Sequence, residues 1–523
     1  MSKIINIYNL SILFILGCLL TGFSNPYNNF FYFVFSILNF SLLFICFKKN
    51  TSFFEIFLSI FIFLGFWLKF SVTFIISSLQ LFLPYFSFDK PGSPFMLRFL
   101  PELPVDFIIS KDVVNETLLI SSFAIFIIIF SILLRKIFLK NLFKDNFNNF
   151  NNFNKSFLEI FYLKHRNYII ILLYSIIMII TYINLKYFFY QKGIEVETSL
   201  HPLIININKW LLQFGLASFV CMLSFYDLKN KKSLTIVFFL FLLQSFLINF
   251  SLLSRTMILE GLFFLIIFTY IAKQHQQKVS LKKFTGLLLI LIISFVFNLK
   301  LVNSHRACLT KLDDKQRIIQ RLNIFVCSES NSKIGNSLNI SENSVTIDTY
   351  SYKTHIFKII NYALIRWTGF DALVGVVNKK ELNYLIYQKS FFEKFDKEKF
   401  SFYQRHFLSE NLRPASDKNI IGDSNKVILP GFIAYSYYSG SLMVMTSIIL
   451  LVIILGNLIE FLALRFSYYN VIFAAYFAYV FSFRLINFGY LPFNTVLFIL
   501  IILLNILIIY LTEKLFKRIF LWW

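Results

Sequence analysis

The chain has 523 residues, of which 57% are hydrophobic, 20% aromatic and 15% charged, and it carries a formal charge of +23 at pH 7. So apolar a composition excludes an ordinary water-soluble enzyme. The lysines punctuate apolar runs and form no basic stripe, which excludes a nucleic-acid-binding domain and marks membrane topology instead.

A hydrocarbon core of about 30 Å takes roughly 20 apolar residues per helix. Twelve such runs follow one another, centred near Ile12, Phe35, Leu64, Ile125, Leu173, Ser218, Phe241, Ile266, Leu291, Thr446, Ala478 and Ile501. They predict an all-α, polytopic transmembrane bundle. No small-residue cleavage pattern separates the first run from the second, so the first reads as an anchor and not as a removed signal peptide.

Basic residues fall in alternate loops: Lys48 and Lys49, then Arg135 to Arg166, then Lys229 to Lys232, then Lys273 to Lys283, and finally Lys514, Lys517 and Arg518. The positive-inside rule makes those loops and both termini cytoplasmic. The stretch Asn146 to Lys155 has low complexity and is read as a disordered linker.

Two outer segments are longer than the rest, residues 83–116 and residues 303–426. The second has the size of a small domain and is predicted to be partly helical, lying between spans nine and ten. The chain thus divides into 1–302, 303–426 and 427–523. Cys18, Cys46 and Cys221 lie in apolar runs and read as small core residues. Cys308 and Cys327 fall in the large outer segment, where an oxidising compartment permits a disulfide worth about 3 kcal/mol.

Arginine is scarce and unevenly placed. Arg98, Arg255, Arg306, Arg317, Arg321, Arg366, Arg405, Arg413 and Arg484 fall on the outer side, against Arg135, Arg166, Arg465 and Arg518 inside. A guanidinium grips phosphate bidentately and keeps its charge, whereas lysine is a point charge suited to topology signalling. The alternative is that these arginines pair with acidic residues of their own loops. Lys69, Arg255, Glu260 and Arg484 sit within or at the ends of spans, all toward the outer leaflet, and intramembrane charge marks either a site or an ion pair. Arg255, Arg366, Arg484, Lys69 and Arg306 form the candidate phosphate-binding set.

In the large outer segment Ile360, Ala363, Leu364, Trp367, Phe370 and Val374 recur at helical spacing, so His355 to Val377 is predicted to lie on the membrane surface or to pack on the bundle. If that helix runs through Gly369, Asp371 falls within the apolar stripe and is a candidate base; if Gly369 breaks it, Asp371 caps a shorter helix. His305, His355 and His406 titrate near neutrality in principle, but their separation gives no metal-ligand spacing. No Gly-rich nucleotide motif or zinc motif is present, and no cofactor is expected.

The layout of the whole chain resembles the oligosaccharide repeat-unit polymerases, the O-antigen or Wzy-type family related to the O-antigen ligases. Three stretches carry the resemblance locally: Leu252 to Thr256 at an outer turn, Leu364 to Asp371 in the large outer segment, and Leu429 to Tyr435 leading into the tenth span. The resemblance implies a metal-independent glycosyl transfer at the outer face of a bacterial inner membrane. An undecaprenyl-pyrophosphate-linked glycan would be passed to a hydroxyl of an incoming lipid-linked repeat unit, to build an O-antigen or capsule. It implies that Arg255 and Arg366 hold the departing pyrophosphate, with Asp371, His305 or His406 as base, and that a flippase and a chain-length regulator are partners. A ligase and a lipid-linked oligosaccharide flippase are the competing readings.

Overall fold

The computed structural model describes residues 11–12, 14–17, 19, 30–47, 51–71, 111–138, 156–187, 190–191, 201–254, 256–311, 369–379, 381–392, 402–408, 430–488 and 492–522. Among them every regular element is helical. In chain order these are α1 (Phe30–Cys46), α2 (Phe53–Ser71), α3 (Lys111–Phe138), α4 (Phe157–Lys164) and α5 (Arg166–Tyr187). There follow α6 (Ile204–Lys229), α7 (Leu234–Ser251), α8 (Met257–Gln274), α9 (Leu281–Lys311), α10 (Phe370–Val377) and α11 (Tyr384–Phe391). The last are α12 (Gly431–Ser436), α13 (Leu442–Phe466), α14 (Val471–Phe488) and α15 (Pro492–Trp522).

Nine helices among the described residues are long and apolar enough to cross a membrane, and α1 and the span within α14 are apolar but shorter. The protein is therefore a polytopic membrane protein. Every expected span centre from Phe35 to Ile501 lies in one of these helices. The first, near Ile12, falls among residues of which only some are described, and these are helical. The proposed linker and the outer segment 83–110 lie outside the described residues, as do most of 303–426 and the Cys327 partner of the expected disulfide.

The chain forms two compact units, neither of them continuous: Met1–Phe153, Asp348–Leu462 and Phe477–Leu503 make one, and Asn154–Ile347, Ala463–Tyr476 and Leu504–Trp523 the other. In the first, α1 packs chiefly on α3 and buries Tyr32, Phe35, Ser36, Asn39, Phe40, Leu42 and Cys46, a spacing that makes one helical face. Its polar members donate locally, Ser36 Oγ to the Tyr32 carbonyl at 2.8 Å and Asn39 Nδ2 to that of Phe35 at 2.8 Å. Such bonds are required where no water competes. In the second unit α7 is central and packs on α5, α6, α8 and α9. The outward faces of α5 and α9 expose Ile171, Leu172, Ile179, Ile293 and Phe297, as lipid-facing helices do.

Each unit contains the same helix start. Ser52 and Ser156 are extended N-caps, with φ/ψ of −70/154 and −67/154, whose hydroxyls accept from the amides of Glu55 and Glu159 at 3.2 and 3.0 Å. A carboxylate from a far helix then takes the next two free amides: Glu460 accepts from Phe53 and Phe54 at 2.9 and 2.7 Å, and Glu513 from Phe157 and Leu158 at 2.6 and 2.9 Å. Each first-turn glutamate is neutralised in turn, Glu55 by Arg135 and Glu159 by Lys229 at 2.8 Å. Amides at a helix start have no intrahelical partner, and an anion there also meets the positive end of the helix dipole.

Candidate functional site

Helix α2 does not run as a regular α-helix. At Phe63–Leu68 it widens into a π-helical turn, which carries Gly65 and brings Lys69 to the inner side of the first unit. Such turns cluster at functional sites because they re-aim the side chains that follow. Opposite it begins α10, an eight-residue helix buried on every side, with Gly369 extended (φ 176) at its N-cap. A Cβ on Gly369 would lie 2.5 Å from the Gly65 carbonyl oxygen, so the two backbones approach where only glycine fits.

This contact sets Asp371, in the first turn of α10, against Lys69: they form an ion pair whose side chains are 1% and 2% exposed. Aromatic rings wall it in. Phe370 lies 4.3 Å from Phe70 and 6.2 Å from Phe35, and the Tyr32 and Ser71 hydroxyls share a hydrogen bond of 2.6 Å. In a site this dry each charge depends on the other, because an unpaired ion would lose its hydration without return.

Two further elements of the first unit pack on α10. Tyr403 donates its hydroxyl proton to the Ala372 carbonyl at 3.1 Å, anchoring the π-helical turn Gln404–Leu408, and α12 also packs on α10. His406 is held there: its ring centroid is 4.0 Å from that of Phe402 and its carbonyl accepts from Lys379 Nζ at 2.5 Å. Burial lowers the His406 pKa, with Lys379, Arg405 and Lys389 acting in the same direction, so the imidazole is neutral at neutral pH.

Of the expected stripe only Phe370 and Val374 are described, and both are buried in α10, which begins after Gly369. Asp371 lies in the first turn of that helix and not at its cap, and it pairs with Lys69. Lys69, expected to grip phosphate, has a carboxylate for its partner, and the pair is electrically neutral as a whole. Arg484 on α14 is half-buried, its guanidinium 5.6 Å from the Phe498 ring centre.

Other candidates belong to the second unit. His305 lies on α9 with its ring edge-on to Phe250 at 5.6 Å, and burial lowers its pKa. Arg306 is helical in its backbone, and its side chain lies outside the described atoms. Arg255, Arg366 and His355 lie outside the described residues. The turn that bears Arg255 is nevertheless tightly organised on both flanks. Asn249 donates to Glu260 at 3.1 Å and accepts from the Thr256 hydroxyl at 2.9 Å, its carbonyl takes the Ser254 amide at 2.7 Å, and Ser245 also donates to Glu260 at 2.9 Å. The intervening Leu253 has φ 50. Glu260 is thus engaged by polar side chains of α7.

No family model, no curated protein and no solved structure matches the chain. The chemistry must therefore be read from these residues themselves.

Two features escaped the sequence reading. The coupling of Lys69 to Asp371 left only an indirect trace, a glycine four residues before one and two before the other. Glu460 and Glu513 gave none, because a carboxylate late in an apolar helix reads as an interfacial charge; the helix starts they cap were legible as Ser-x-x-Glu at 52–55 and 156–159.

Proposed function

We propose that the chain is a membrane glycosyltransferase of the repeat-unit polymerase type, acting on undecaprenyl-pyrophosphate-linked oligosaccharides at the outer face of a bacterial inner membrane, with both termini cytoplasmic. The observation that carries this reading is the buried Lys69–Asp371 pair, which joins a membrane span to α10 in the long segment after α9. A lipid-linked substrate presents its reacting sugar beside such a span, and a group brought in by the outer segment is then placed to act on it.

In the transfer, the bond between the anomeric carbon of the donor glycan and its pyrophosphate breaks, and a bond to the acceptor hydroxyl forms. The hydroxyl proton passes to a base and undecaprenyl pyrophosphate leaves with the electron pair. Arg255 and Arg366 are assigned to the leaving group, whose growing charge a guanidinium stabilises. Asp371 is assigned to the base, paired with Lys69 while no substrate is bound, and burial raises its pKa toward that of a useful base. His406 and His305, both neutral at neutral pH, are the alternatives.

The test is a gel of the surface glycan from cells that lack the gene and carry variants in its place. Arg255→Ala, Arg366→Ala and Asp371→Asn should each leave single-repeat caps with unchanged protein in the membrane. Long chains in all three strains would dismiss the assignment. A chelator should leave polymerisation unchanged.

A second reading has one observation in its favour. The matching starts Ser52–Phe57 and Ser156–Phe161, each capped by a distant glutamate, suit an internal duplication, and duplicated halves are characteristic of transporters. A flippase predicts repeat units stranded on the cytoplasmic side in the deletion strain, whereas a polymerase predicts single-repeat caps at the surface.

A further inference from the structure

Gln191 stands just beyond the C-terminal end of α5, 3% exposed, and both polar atoms of its side chain are buried without any hydrogen-bond partner. Asn184 holds the adjacent Tyr190 by both backbone groups, accepting from its amide at 3.0 Å and donating to its carbonyl at 3.2 Å. The same Asn184 amide donates to the carbonyl and hydroxyl of Ser251, at 2.9 and 2.8 Å, where α7 turns toward Arg255. The Tyr190 hydroxyl takes a bond from Gln213 at 2.5 Å, and Lys209 Nζ sits 4.9 Å from its ring centre. Tyr190, the residue before Gln191, is thus held from α5 and α6 while the Gln191 amide is left unmatched.

A buried amide without partners is costly and is rare in native structures, so its maintenance by so many contacts calls for a ligand that completes it. The hydrogen-bonding inventory selects the class. Gln191 offers two donors and a carbonyl acceptor. A phosphate accepts only, and would leave the Gln191 oxygen facing an anion; a cation would satisfy that oxygen alone. Adjacent hydroxyls, each both donor and acceptor, match the whole amide.

We infer that the Gln191 side chain is a binding site for an uncharged group bearing vicinal hydroxyls, presented at the end of α5. A saccharide head group and the glycerol of a lipid share this chemistry. The inference holds whether or not the chain joins glycans.

The test uses the full chain in lipid nanodiscs and follows its thermal unfolding midpoint. Three additives with the same eight-carbon tail are compared below their micellar concentrations: octyl glucoside, glycerol monooctanoate, and octyl tetraethylene glycol ether, which has acceptors but no vicinal hydroxyls. The wild type should gain about 2 °C or more from octyl glucoside over the ether. A gain from glycerol monooctanoate as well assigns the site to lipid glycerol, and none assigns it to a saccharide. Gln191→Leu and Gln191→Met should erase the gain, and without additive both should unfold at or above the wild-type midpoint, since a costly buried amide is gone. Equal shifts from all three additives would overturn the inference. So would variants that keep the gain, or that unfold early or fail to fold, because the amide would then have partners within the protein.

Discussion

Lys69 and Asp371 lie in surroundings from which water is almost excluded, so the cost of disturbing them depends on which is removed. Lys69→Met or Asp371→Leu alone leaves one charge buried and unpaired and should lower stability by about 3–5 kcal/mol, whereas the double variant should recover most of that loss. Detergent-mediated unfolding of the three proteins checks this; additive single losses would show that the pair is not coupled. Under the proposed function the well-folded double variant should lose polymerisation, which would separate chemistry from stability. The histidines make a second prediction at this scale. Burial depresses the folded-state pKa of His406 and of His305. Below the ordinary histidine value of about 6.5 the unfolded chain therefore binds protons that the folded chain refuses. Stability should fall as pH drops through that value and level off below the folded pKa values, and the paired change His305→Gln with His406→Gln should flatten the curve between pH 7 and 5. An undiminished slope in that variant would place the dependence elsewhere.

The two carboxylate-capped helix starts behave as elements. Replacing Ser52 or Ser156 by alanine should cost about 1 kcal/mol each, the usual worth of an N-cap. Glu460→Leu and Glu513→Leu should cost more, about 2–4 kcal/mol each, because two amides are orphaned and a cation loses part of its surroundings. If the parallel between the units is physical, the two sets of losses will agree; a large loss in one unit and none in the other would break it. At α10 the contact with α2 is backbone against backbone, which cannot yield as a side chain can. Gly369→Ala should therefore displace the start of α10, and Gly431→Ala, at φ +71 and 2.8 Å from the Ile486 carbonyl oxygen, should strain α12. Both should appear as lowered unfolding midpoints, with Gly286→Ala, which meets nothing within 4 Å, as the unaffected control.

For the whole molecule, the alternation of lysine-rich loops makes a prediction about sidedness. In a background free of the five native cysteines, Glu381→Cys, exposed in the segment after α9, should react with an impermeant maleimide on intact spheroplasts. Lys278→Cys, exposed between α8 and α9, should react only after permeabilisation. The reverse pattern would invert the orientation and move the candidate site to the cytoplasm. The membrane character was legible at this scale because it is a property of continuous apolar length: each centre from Phe35 to Ile501 needed only its own neighbours in sequence. Lys69, Asp371 and Arg484 were legible one at a time, since charge in an apolar run is conspicuous. Their relations were not, since a lysine in one span carries no local mark of the carboxylate that will neutralise it.

What the sequence determined alone was therefore what hydrophobic length, helix period and scarce charge can encode locally: a many-helix membrane protein, the order of its spans, and a short roll of candidate residues. Only the tertiary structure decided that Gly65 meets Gly369, that Lys69 is spent on Asp371, and that Glu460 caps a helix 407 residues away. The reason is one of range. Helices form through bonds four residues apart, but a buried charge finds its partner only after the helices have packed and water has been driven out.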